Sequence, residues 1–377
     1  MEFELNEEQR ILQKTARDFL KKECPKELVR ELDDSQDGHS PELWQKMADL
    51  GWIGLTLPEQ YGGSGWSFLD LVILLEEMGY NICPGPFFAT AVLGSPPIAI
   101  AGNDEQKSDL LPKIASGQLI VTLALTEPTG RYDAAAVTVK AVPDGEDYII
   151  NGTKLFVPDA GVADYILCVT RTEEGTTPEE GISIFLVDAK SSGLTITSLK
   201  TIARDKQYEV LLDNVKVPAA NIIGTLGQGW PIVKETLEQA AAARCAEMIG
   251  GAQAAMDLAL AYAKERVQFD HPIGSFQAVQ HHFANMWLEI FGVRYLVYQA
   301  ACKISRGVPA EKEVSMAKAR VGQAYRKVTL LAHQIFGGIG FTWEHDLHLY
   351  HKRALAGDLA FGGTDFHHEK VARSLGL

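Results

Sequence analysis

Histidines recur every third residue near the C-terminus of the sequence, at His345, His348 and His351. On a helix, this spacing would let two imidazoles share a metal ion. We find no cysteine or carboxylate placed to complete a ligand set, so the pattern favours a structural or surface role. The adjacent histidine pairs at 281–282 and 367–368 point in different directions on a helix, and they predict no metal site.

Glu247 is a carboxylate in an unusual setting, because it lies within ARCAEMIGG in a mostly apolar run of helical sequence. A charge has no packing use there. A carboxylate in a desolvated pocket holds its proton more tightly and can act as a general base. The alternative interpretation is a salt bridge at the surface or at a subunit interface.

Several common catalytic signatures are absent from the sequence. There is no GxGxxG after a predicted strand, no Walker loop, no HExxH and no GxSxG. The sequence therefore gives little support to a Rossmann dehydrogenase, a kinase, a zinc protease or a serine hydrolase.

Composition and charge set further limits. Apolar residues make up 46% of the 377 residues, and a chain of this length predicts two or three folded domains. The formal charge of −14 argues against a nucleic-acid-binding protein. Five cysteines lie far apart without a CxxC motif, which predicts reduced, mostly structural thiols.

The N-terminal sequence MEFELNEEQR is acidic, unlike a secretory signal. The most apolar stretch, residues 87–101, contains two prolines and is too short to span a bilayer. These observations predict a cytoplasmic protein that is not inserted into a membrane.

Hydrophobic periodicity divides the chain into three predicted domains and gives the class α+β. Residues 1–118 have the pattern of amphipathic helices, and residues 119–223 contain short strands rich in Val and Ile. Residues 224–377 contain helical runs with the lengths of an antiparallel bundle.

Local signals predict individual elements. Asn6 begins a capping box, and Ser40 before Pro41 begins a second helix. Asn151 and Gly152 favour a two-residue hairpin turn, because both accept positive φ. Further helices are expected over residues 67–80, 85–101, 104–115, 231–267, 276–306 and 309–336.

A series of motifs resembles, in order and spacing, the acyl-CoA dehydrogenases. ALTEP (124–128) opens the predicted β domain, and INGTKLFVP (150–158) is a predicted strand. ERVQF (265–269) lies between two bundle helices, and QIFGGIGF (334–341) ends the next. The resemblance extends over essentially the whole chain. It implies an N-terminal helical domain, a middle antiparallel β-barrel domain and a C-terminal four-helix bundle.

The same resemblance implies an oxidoreductase that uses FAD to act on an acyl-CoA thioester. The backbone at Leu125, Thr126, Phe156 and Val157 would meet the pyrimidine edge of the flavin. The pyrophosphate would be bound by residues of an adjoining subunit, which makes an oligomer necessary. Those residues stand at the positions of Arg266, Phe269, Gln334 and Gly338, and Thr364 is a further implied cofactor position.

The sequence departs from the family at the catalytic base. The C-terminal FGGT aligns with the motif in which many members carry a catalytic Glu, and the matching residue is Gly362. The known alternative position is Ala240. Glu247 lies two helical turns further on the same face, so it is the leading candidate for the base. Asp358 and Asp365 are the alternatives, as is the absence of any base from this chain.

Three smaller departures suggest an unusual substrate. Tyr132 stands where the family usually has a small Ser in the thioester channel, and Arg244 is a second expected substrate residue. Pro158 replaces a residue that often offers a hydroxyl to the flavin, and Asp270 replaces the Gly after ERxxF. They place the chain in a divergent bacterial branch that includes enzymes for dicarboxyl, alicyclic and steroid side-chain acyl-CoAs.

The leading hypothesis is α,β-dehydrogenation of such a thioester, in fatty-acid or aromatic and alicyclic acid degradation. Electrons would pass to an electron-transfer flavoprotein, and the chain would form a homotetramer or pair with a paralogous subunit. A non-catalytic or half-site subunit of a heteromeric acyl-CoA dehydrogenase is the second hypothesis, motivated by Gly362. A flavin oxidase or monooxygenase, which would not need that Glu, is the third.

Overall fold

The computed structural model describes residues 5–377 and divides into two compact units. The first unit contains the residues up to Val29, Ser67–Cys83 and Ala241–Leu377. The second contains Arg30–Trp66 and Pro84–Ala240. Within residues 5–377, no helix is both long enough and apolar enough to cross a membrane.

Eleven α-helices and ten strands form the secondary structure of the described residues. In chain order the helices are α1 (Glu7–Glu23), α2 (Lys26–Asp34), α3 (Pro41–Asp49), α4 (Phe68–Asn81), α5 (Ser95–Ala101), α6 (Asp104–Ala115), α7 (Trp230–Glu265), α8 (Gln277–Ser305), α9 (Glu311–Phe336), α10 (Leu347–Leu359) and α11 (Thr364–Ser374). The strands are β1 (Val121–Ala124), β2 (Lys140–Asp144), β3 (Asp147–Pro158), β4 (Tyr165–Arg171), β5 (Ile182–Asp188), β6 (Leu194–Leu199), β7 (Gln207–Pro218), β8 (Ile222–Ile223), β9 (Val267–Gln268) and β10 (His271–Pro272).

Helices α1 and α4 of the first unit lie side by side and run in the same direction. Near their starts the Gln9 amide donates to Asp70 at 2.8 Å, and further along Arg17 makes two hydrogen bonds to Glu77. The Asn6 side chain accepts from the Gln9 backbone while the Gln9 side chain accepts from the Asn6 backbone. The predicted capping box is therefore confirmed.

The long helices predicted in the last third of the chain are confirmed as α7, α8 and α9. Glycines of α7 allow neighbouring helices to contact its backbone. A Cβ added at Gly250 would lie 1.8 Å from the Glu76 carbonyl oxygen on α4, and one at Gly251 would lie 2.1 Å from the Tyr325 hydroxyl on α9. Helix α9 in turn packs against α8, α10 and α11.

The second unit contains an eight-stranded sheet with neighbours in the order β6-β7-β3-β2-β4-β5-β8, and β1 pairs with β4. Most pairs are antiparallel, but β1 and β2 pair with β4 in parallel. Side chains of several strands form one buried cluster that includes Ile150, Phe185 and Val210. The predicted middle β domain is confirmed as a sheet with a buried apolar cluster.

The predicted hairpin turn at Asn151 and Gly152 is wrong. Strand β3 runs through both residues, and its register against β7 shifts there, which marks a β-bulge. Gly152 has a φ of +143°, so the bulge uses the backbone freedom that suggested a turn. The turn between β2 and β3 instead contains Gly145, with a φ of +68°.

The helix predicted over 85–101 is interrupted. Residues Phe88–Gly94 form a π-helical segment, and α5 begins at Ser95. The two prolines that follow Ser95 lack backbone N–H groups, so the usual hydrogen-bond pattern cannot continue through them. The helix predicted after Ser40 is confirmed as α3, with the Ser40 hydroxyl accepting from the Leu43 N–H at 3.2 Å.

Candidate active site

Two segments predicted to meet the flavin come together in the second unit. The Leu155 N–H donates to the Thr126 carbonyl at 2.8 Å, which joins β3 to the loop after β1. Strand β3 shifts register against β7 just before Val157, and Phe156 within this bulge has a φ of +53°. The Phe156 ring is 54% exposed, whereas Val157 and Leu125 are buried. The bulge therefore turns Phe156 outward at this edge of the sheet.

The sequence reasoning missed a buried ion pair behind this edge. Lys154 Nζ lies 2.8 Å from a Glu127 carboxylate oxygen and donates to the Leu125 carbonyl at 3.2 Å. Glu127 also accepts from the N–H groups of Thr138 and Val139, each at 3.0 Å. Burial raises the pKa of Glu127, but the Lys154 ammonium and these hydrogen bonds outweigh burial and hold it below its usual value. The acidic residue of ALTEP and the lysine of TKLFV were the available signals.

Tyr132 and Pro158, the two departures predicted in this unit, occupy different settings. Tyr132 is partly exposed in the loop after β1, between the residues of an exposed ion pair, Arg131 and Asp133, at 2.7 Å. Pro158 ends β3, and its carbonyl accepts from the Thr122 hydroxyl at 2.6 Å. Pro158 thus fixes β1 against β3 through its backbone.

Arg244 and Glu247 form an ion pair on α7 in the first unit. Their side chains are 25% and 18% exposed, and every other residue from 241 to 250 is buried. The guanidinium carbon of Arg244 lies 6.0 Å from the centroid of the Phe361 ring, at the limit of a cation–π contact. Arg244 therefore contacts both Glu247 and the turn that aligns with the family's catalytic motif.

That turn has a backbone suited to glycine at the position of the expected Glu. Phe361 has a φ of +58° and Gly362 a φ of +98°. A Cβ added at Gly362 would lie 2.3 Å from a ring carbon of Phe366 and 3.0 Å from His367 Nε2. A larger side chain would strain the backbone and displace Phe366. The packing of this unit is thus adapted to glycine at 362.

Two buried side chains hold the turn, and the sequence reasoning missed both roles. Lys318 Nζ donates to the carbonyls of Asp358 at 2.8 Å and Gly362 at 3.0 Å. His367 Nε2 donates to the Phe361 carbonyl at 3.0 Å. Burial lowers the pKa of Lys318, and burial lowers the pKa of His367 to about 4. The signal in the sequence that could have revealed these roles was a lysine on the buried face of α9.

The alternative candidates for the base have other surroundings. Asp358 is 6% exposed, and its carboxylate accepts from the Thr364 hydroxyl at 3.0 Å and from Arg326 at 3.1 Å. A Cβ at Gly322 would lie 2.0 Å from the Asp358 carboxylate, so α9 leaves space for it. Asp365 is exposed in the first turn of α11, where a negative charge interacts favourably with the helix dipole. These surroundings give each of the two carboxylates a structural role.

Residues predicted to bind the pyrophosphate lie at one end of the first unit. The rings of Tyr262 and Phe336 stack with centroids 4.6 Å apart, which joins the ends of α7 and α9. A Cβ added at Gly338 would meet nothing within 4 Å, so the surface there is open. The predicted residues Arg266, Phe269, Gln334 and Gly338 are all exposed.

Phe269 and Asp270 form the tight turn between β9 and β10, with φ values of +52° and +64°. Positive φ at both central residues is the geometry of a type I′ hairpin, in which Gly or Asp is favoured. The turn leaves the Phe269 ring 85% exposed. The replacement of Gly by Asp270 therefore preserves the turn while it adds a charge.

A row of exposed aromatic side chains runs along α8. Trp287, Phe291 and Tyr295 are 50%, 44% and 38% exposed and recur once per helical turn. The rings of Trp287 and Phe291 stack at 6.2 Å. Contiguous exposed apolar surface of this kind is typical of surfaces that contact other proteins.

The evenly spaced histidines have separate contacts. His351 Nδ1 lies 2.9 Å from the Thr329 hydroxyl, and His348 Nε2 donates to the Trp343 carbonyl at 3.1 Å. The Leu347 N–H donates to His345 Nδ1 at 3.1 Å. Between residues 5 and 377, no group of three or more His, Cys, Asp or Glu side chains is arranged to hold a metal ion.

Three family models match consecutive parts of the chain. They describe the N-terminal domain of acyl-CoA dehydrogenase over residues 6–118, the middle domain over 122–215 and the C-terminal domain over 227–376. The chain belongs to the acyl-CoA dehydrogenase family. It is therefore an oxidoreductase that acts on acyl-CoA, in a family that uses FAD.

Individual relatives extend this comparison. The probable acyl-CoA dehydrogenase YngJ of Bacillus subtilis is 35% identical over 100% of both chains. Subunit CarC of the caffeyl-CoA reductase-Etf complex of Acetobacterium woodii is 33% identical over 90% of both chains. A chain of the ChsE4-ChsE5 complex of Mycobacterium tuberculosis has a TM-score of 0.91 at 28% identity, with coverage of 100% of this chain and 99% of that one.

Proposed function

We propose that this protein uses FAD to remove hydrogen from the α and β carbons of an unusual acyl-CoA thioester in the cytoplasm. The acyl group is of the dicarboxyl, alicyclic or steroid side-chain type, and the electrons pass to an electron-transfer flavoprotein. One observation carries the proposal: Arg244 contacts both Glu247 and Phe361. This contact links a carboxylate to the turn where the family's catalytic Glu would stand. The Etf complex that contains CarC supports the choice of electron acceptor.

Glu247 is the proposed base, and its carboxylate takes the α proton of the thioester. FAD, when bound, would supply the acceptor for the β hydrogen and its electron pair. In the resting protein Arg244 forms an ion pair with Glu247, so its guanidinium already engages the carboxylate. A carboxylate on the acyl group would compete for Arg244 and release Glu247, which favours dicarboxyl substrates.

The residues that would hold FAD fit its chemistry. At the edge of the sheet in the second unit, the backbone of Leu125, Thr126, Phe156 and Val157 would bind the pyrimidine edge. Arg266 would supply a cation and Gly338 an open backbone to the pyrophosphate of a cofactor bound mainly by another subunit. Phe269, Gln334 and Thr364 are the remaining proposed contacts. The exposed aromatic row on α8 supports an oligomer.

Substitution of Glu247 tests the proposal. Glu247→Gln is expected to keep the visible flavin spectrum and to lower the rate of anaerobic flavin bleaching by acyl-CoAs about 10²- to 10⁴-fold. Asp365→Asn tests an alternative base, an exposed carboxylate near the same motif, and its rate should not change if Glu247 is the base. A Glu247→Gln enzyme with the wild-type rate would exclude Glu247 as the base.

A panel of thioesters identifies the acyl group in the same assay. Dicarboxyl acyl-CoAs should bleach the flavin faster than their monocarboxyl analogues of equal length, and Arg244→Met should remove this preference. An equal response to both sets would exclude the dicarboxyl class and leave the alicyclic and steroid side-chain thioesters of the panel.

The second candidate function is a non-catalytic or half-site subunit of a heteromeric acyl-CoA dehydrogenase. The packing around Gly362 favours it, since a Cβ there would lie 2.3 Å from Phe366. Similarity to a chain of the ChsE4-ChsE5 complex also supports it. This function predicts a colourless protein when the chain is purified alone, and a yellow one only with a paralogous subunit. A yellow chain that bleaches by itself would reject it.

A further inference from the structure

Two of the five thiols lie side by side in the first unit. Cys24 directly follows α1, and Cys83 lies just beyond α4. Because these helices run in the same direction, their C-terminal ends meet, and the Lys26 ammonium donates to the Asn81 carbonyl at 2.6 Å there. The Cys24 and Cys83 thiols hydrogen-bond to each other. The fold thus brings together two sulfur atoms that are distant in the sequence.

The charges around the two thiols make them unequal. The hydrogen bond with Cys83, and beyond it the Lys26 ammonium, lower the pKa of Cys24. The same hydrogen bond raises the pKa of Cys83 well above its ordinary value, and the Glu247 carboxylate contributes to the increase. Lys26 itself is fixed over the Tyr350 ring, 5.4 Å from its centroid. Cys24 is therefore the thiol that ionises first, and a thiolate is the reactive form of cysteine.

The remaining cysteines have different surroundings. Burial raises the pKa of Cys168 to about 11 and that of Cys245 to about 12, which keeps both thiols protonated at neutral pH. Cys302 is partly exposed, and burial raises its pKa as well. Cys83 is partly exposed as a residue whereas Cys24 is buried, so a peroxide would have to enter from the Cys83 side. Reactivity towards an oxidant should therefore concentrate at Cys24 and Cys83.

We propose that Cys24 and Cys83 form a modification site that hydrogen peroxide or an organic hydroperoxide converts to a disulfide. The Cys24 thiolate first attacks a peroxide oxygen, the O–O bond breaks, and Cys24 becomes a sulfenic acid while hydroxide or alkoxide leaves. The Cys83 sulfur then attacks the Cys24 sulfur, and the sulfenic oxygen leaves as water with the Cys83 proton. Two thiols lose two electrons, which reduce the peroxide. The disulfide would bring the two sulfur atoms from hydrogen-bond contact to a bond length of about 2.05 Å.

The site lies close to the proposed base without depending on it. A Cβ added at Gly79 of α4 would lie 2.0 Å from the Glu247 carbonyl oxygen, so α4 contacts the backbone of α7 at that residue. A disulfide would tie the end of α1 to the end of this same helix. The inference concerns the thiols alone, and it holds whether or not Glu247 is the base.

Peroxide treatment of the full-length reduced protein tests the proposal. Free thiols are alkylated afterwards, and the protein is analysed by intact mass and by peptide mapping without reduction. The expected result is the loss of two hydrogen masses per chain and a peptide that joins Cys24 to Cys83. If Cys24 and Cys83 are still alkylated at a peroxide dose that has already oxidised Cys302, the proposal is overturned. A cross-link between any other two cysteines would overturn it as well. This measurement uses the natural sequence, so it does not depend on the folding of a variant.

Two matched variants test the order of the steps. In Cys83→Ser, oxidation should stop at the Cys24 sulfenic acid, which dimedone traps and which adds one oxygen mass. In Cys24→Ser, no dimedone adduct should form at Cys83 under the same conditions, because burial still raises the pKa of that thiol. An adduct at Cys83 in Cys24→Ser, together with none at Cys24 in Cys83→Ser, would contradict the proposed roles.

Discussion

Loss of the Lys154 ammonium is expected to destabilise the sheet unit by an amount that its contacts define. Lys154 and Glu127 lie 2.8 Å apart with exposures of 0% and 2%. At an effective dielectric constant of about 20, their attraction is about 6 kcal/mol before the cost of desolvation. Lys154→Met would leave a buried carboxylate, which typically costs about 3–5 kcal/mol. Because Glu127 retains the N–H groups of Thr138 and Val139, we expect about 3 kcal/mol.

Equilibrium urea unfolding and a double-mutant cycle measure this cost. Each single variant, Lys154→Met or Glu127→Gln, leaves the other member of the ion pair buried without its opposite charge. The double variant leaves a neutral amide opposite an apolar side chain. The double variant should therefore be more stable than the sum of the single losses predicts, by at least about 1 kcal/mol. Hydrogen exchange at the Leu155 amide gives a local measurement, because this N–H bonds to Thr126 beside the ion pair.

The pH dependence gives a second measurement of the same pair. In the natural protein the pKa of Glu127 is lower in the folded state, so its contribution is complete above the unfolded value and is lost as pH falls through the folded value. In Lys154→Met, burial should instead raise the folded pKa of Glu127. The penalty should then be largest at neutral pH and should shrink as the carboxylate is protonated. A loss below about 1 kcal/mol at pH 7, or additive single variants, would refute the reasoning.

Four further predictions concern single positions. Gly362→Glu should lower the melting temperature, because the backbone at Gly362 has a φ of +98°, and it should not increase flavin bleaching by acyl-CoA. A gain in turnover would show that the turn accepts the family's base. Phe156→Gly should change the free energy of unfolding by less than about 1 kcal/mol, since positive φ suits glycine. It should also keep the FAD content of the purified protein, because the proposed contact is made by the backbone, and a loss of FAD would show that the ring is needed. In the natural protein the His367 imidazole stays neutral in the folded state until its pKa of about 4, so the free energy of unfolding should fall by up to about 3 kcal/mol between pH 6.5 and pH 4. His367→Leu should abolish this loss. An unchanged pH profile of urea unfolding would contradict the prediction. Trp287→Lys should reduce the mass measured by sedimentation equilibrium, and an unchanged mass would show that α8 is not the contact surface.

Local sequence signals predicted those parts of the fold that depend on neighbouring residues. The Asn6 capping box, the Ser40 cap and the limits of α7, α8 and α9 follow from residues within a few positions of each other. The failures were also local. The dipeptide at 151–152 is compatible with both a turn and a β-bulge. The pairing of β3 with β7 decides between the two.

The motifs that led to the family came from the sequence alone, and so did the prediction that Gly362 stands at the position of the usual base. Only the tertiary structure placed Arg244 against Phe361, Lys154 beside Glu127, and Cys24 next to Cys83. Each of these pairs joins residues far apart in the chain, and no local propensity specifies such a contact. Burial then fixes the energy of each pair, because charges and thiols interact strongly only where the fold has removed water.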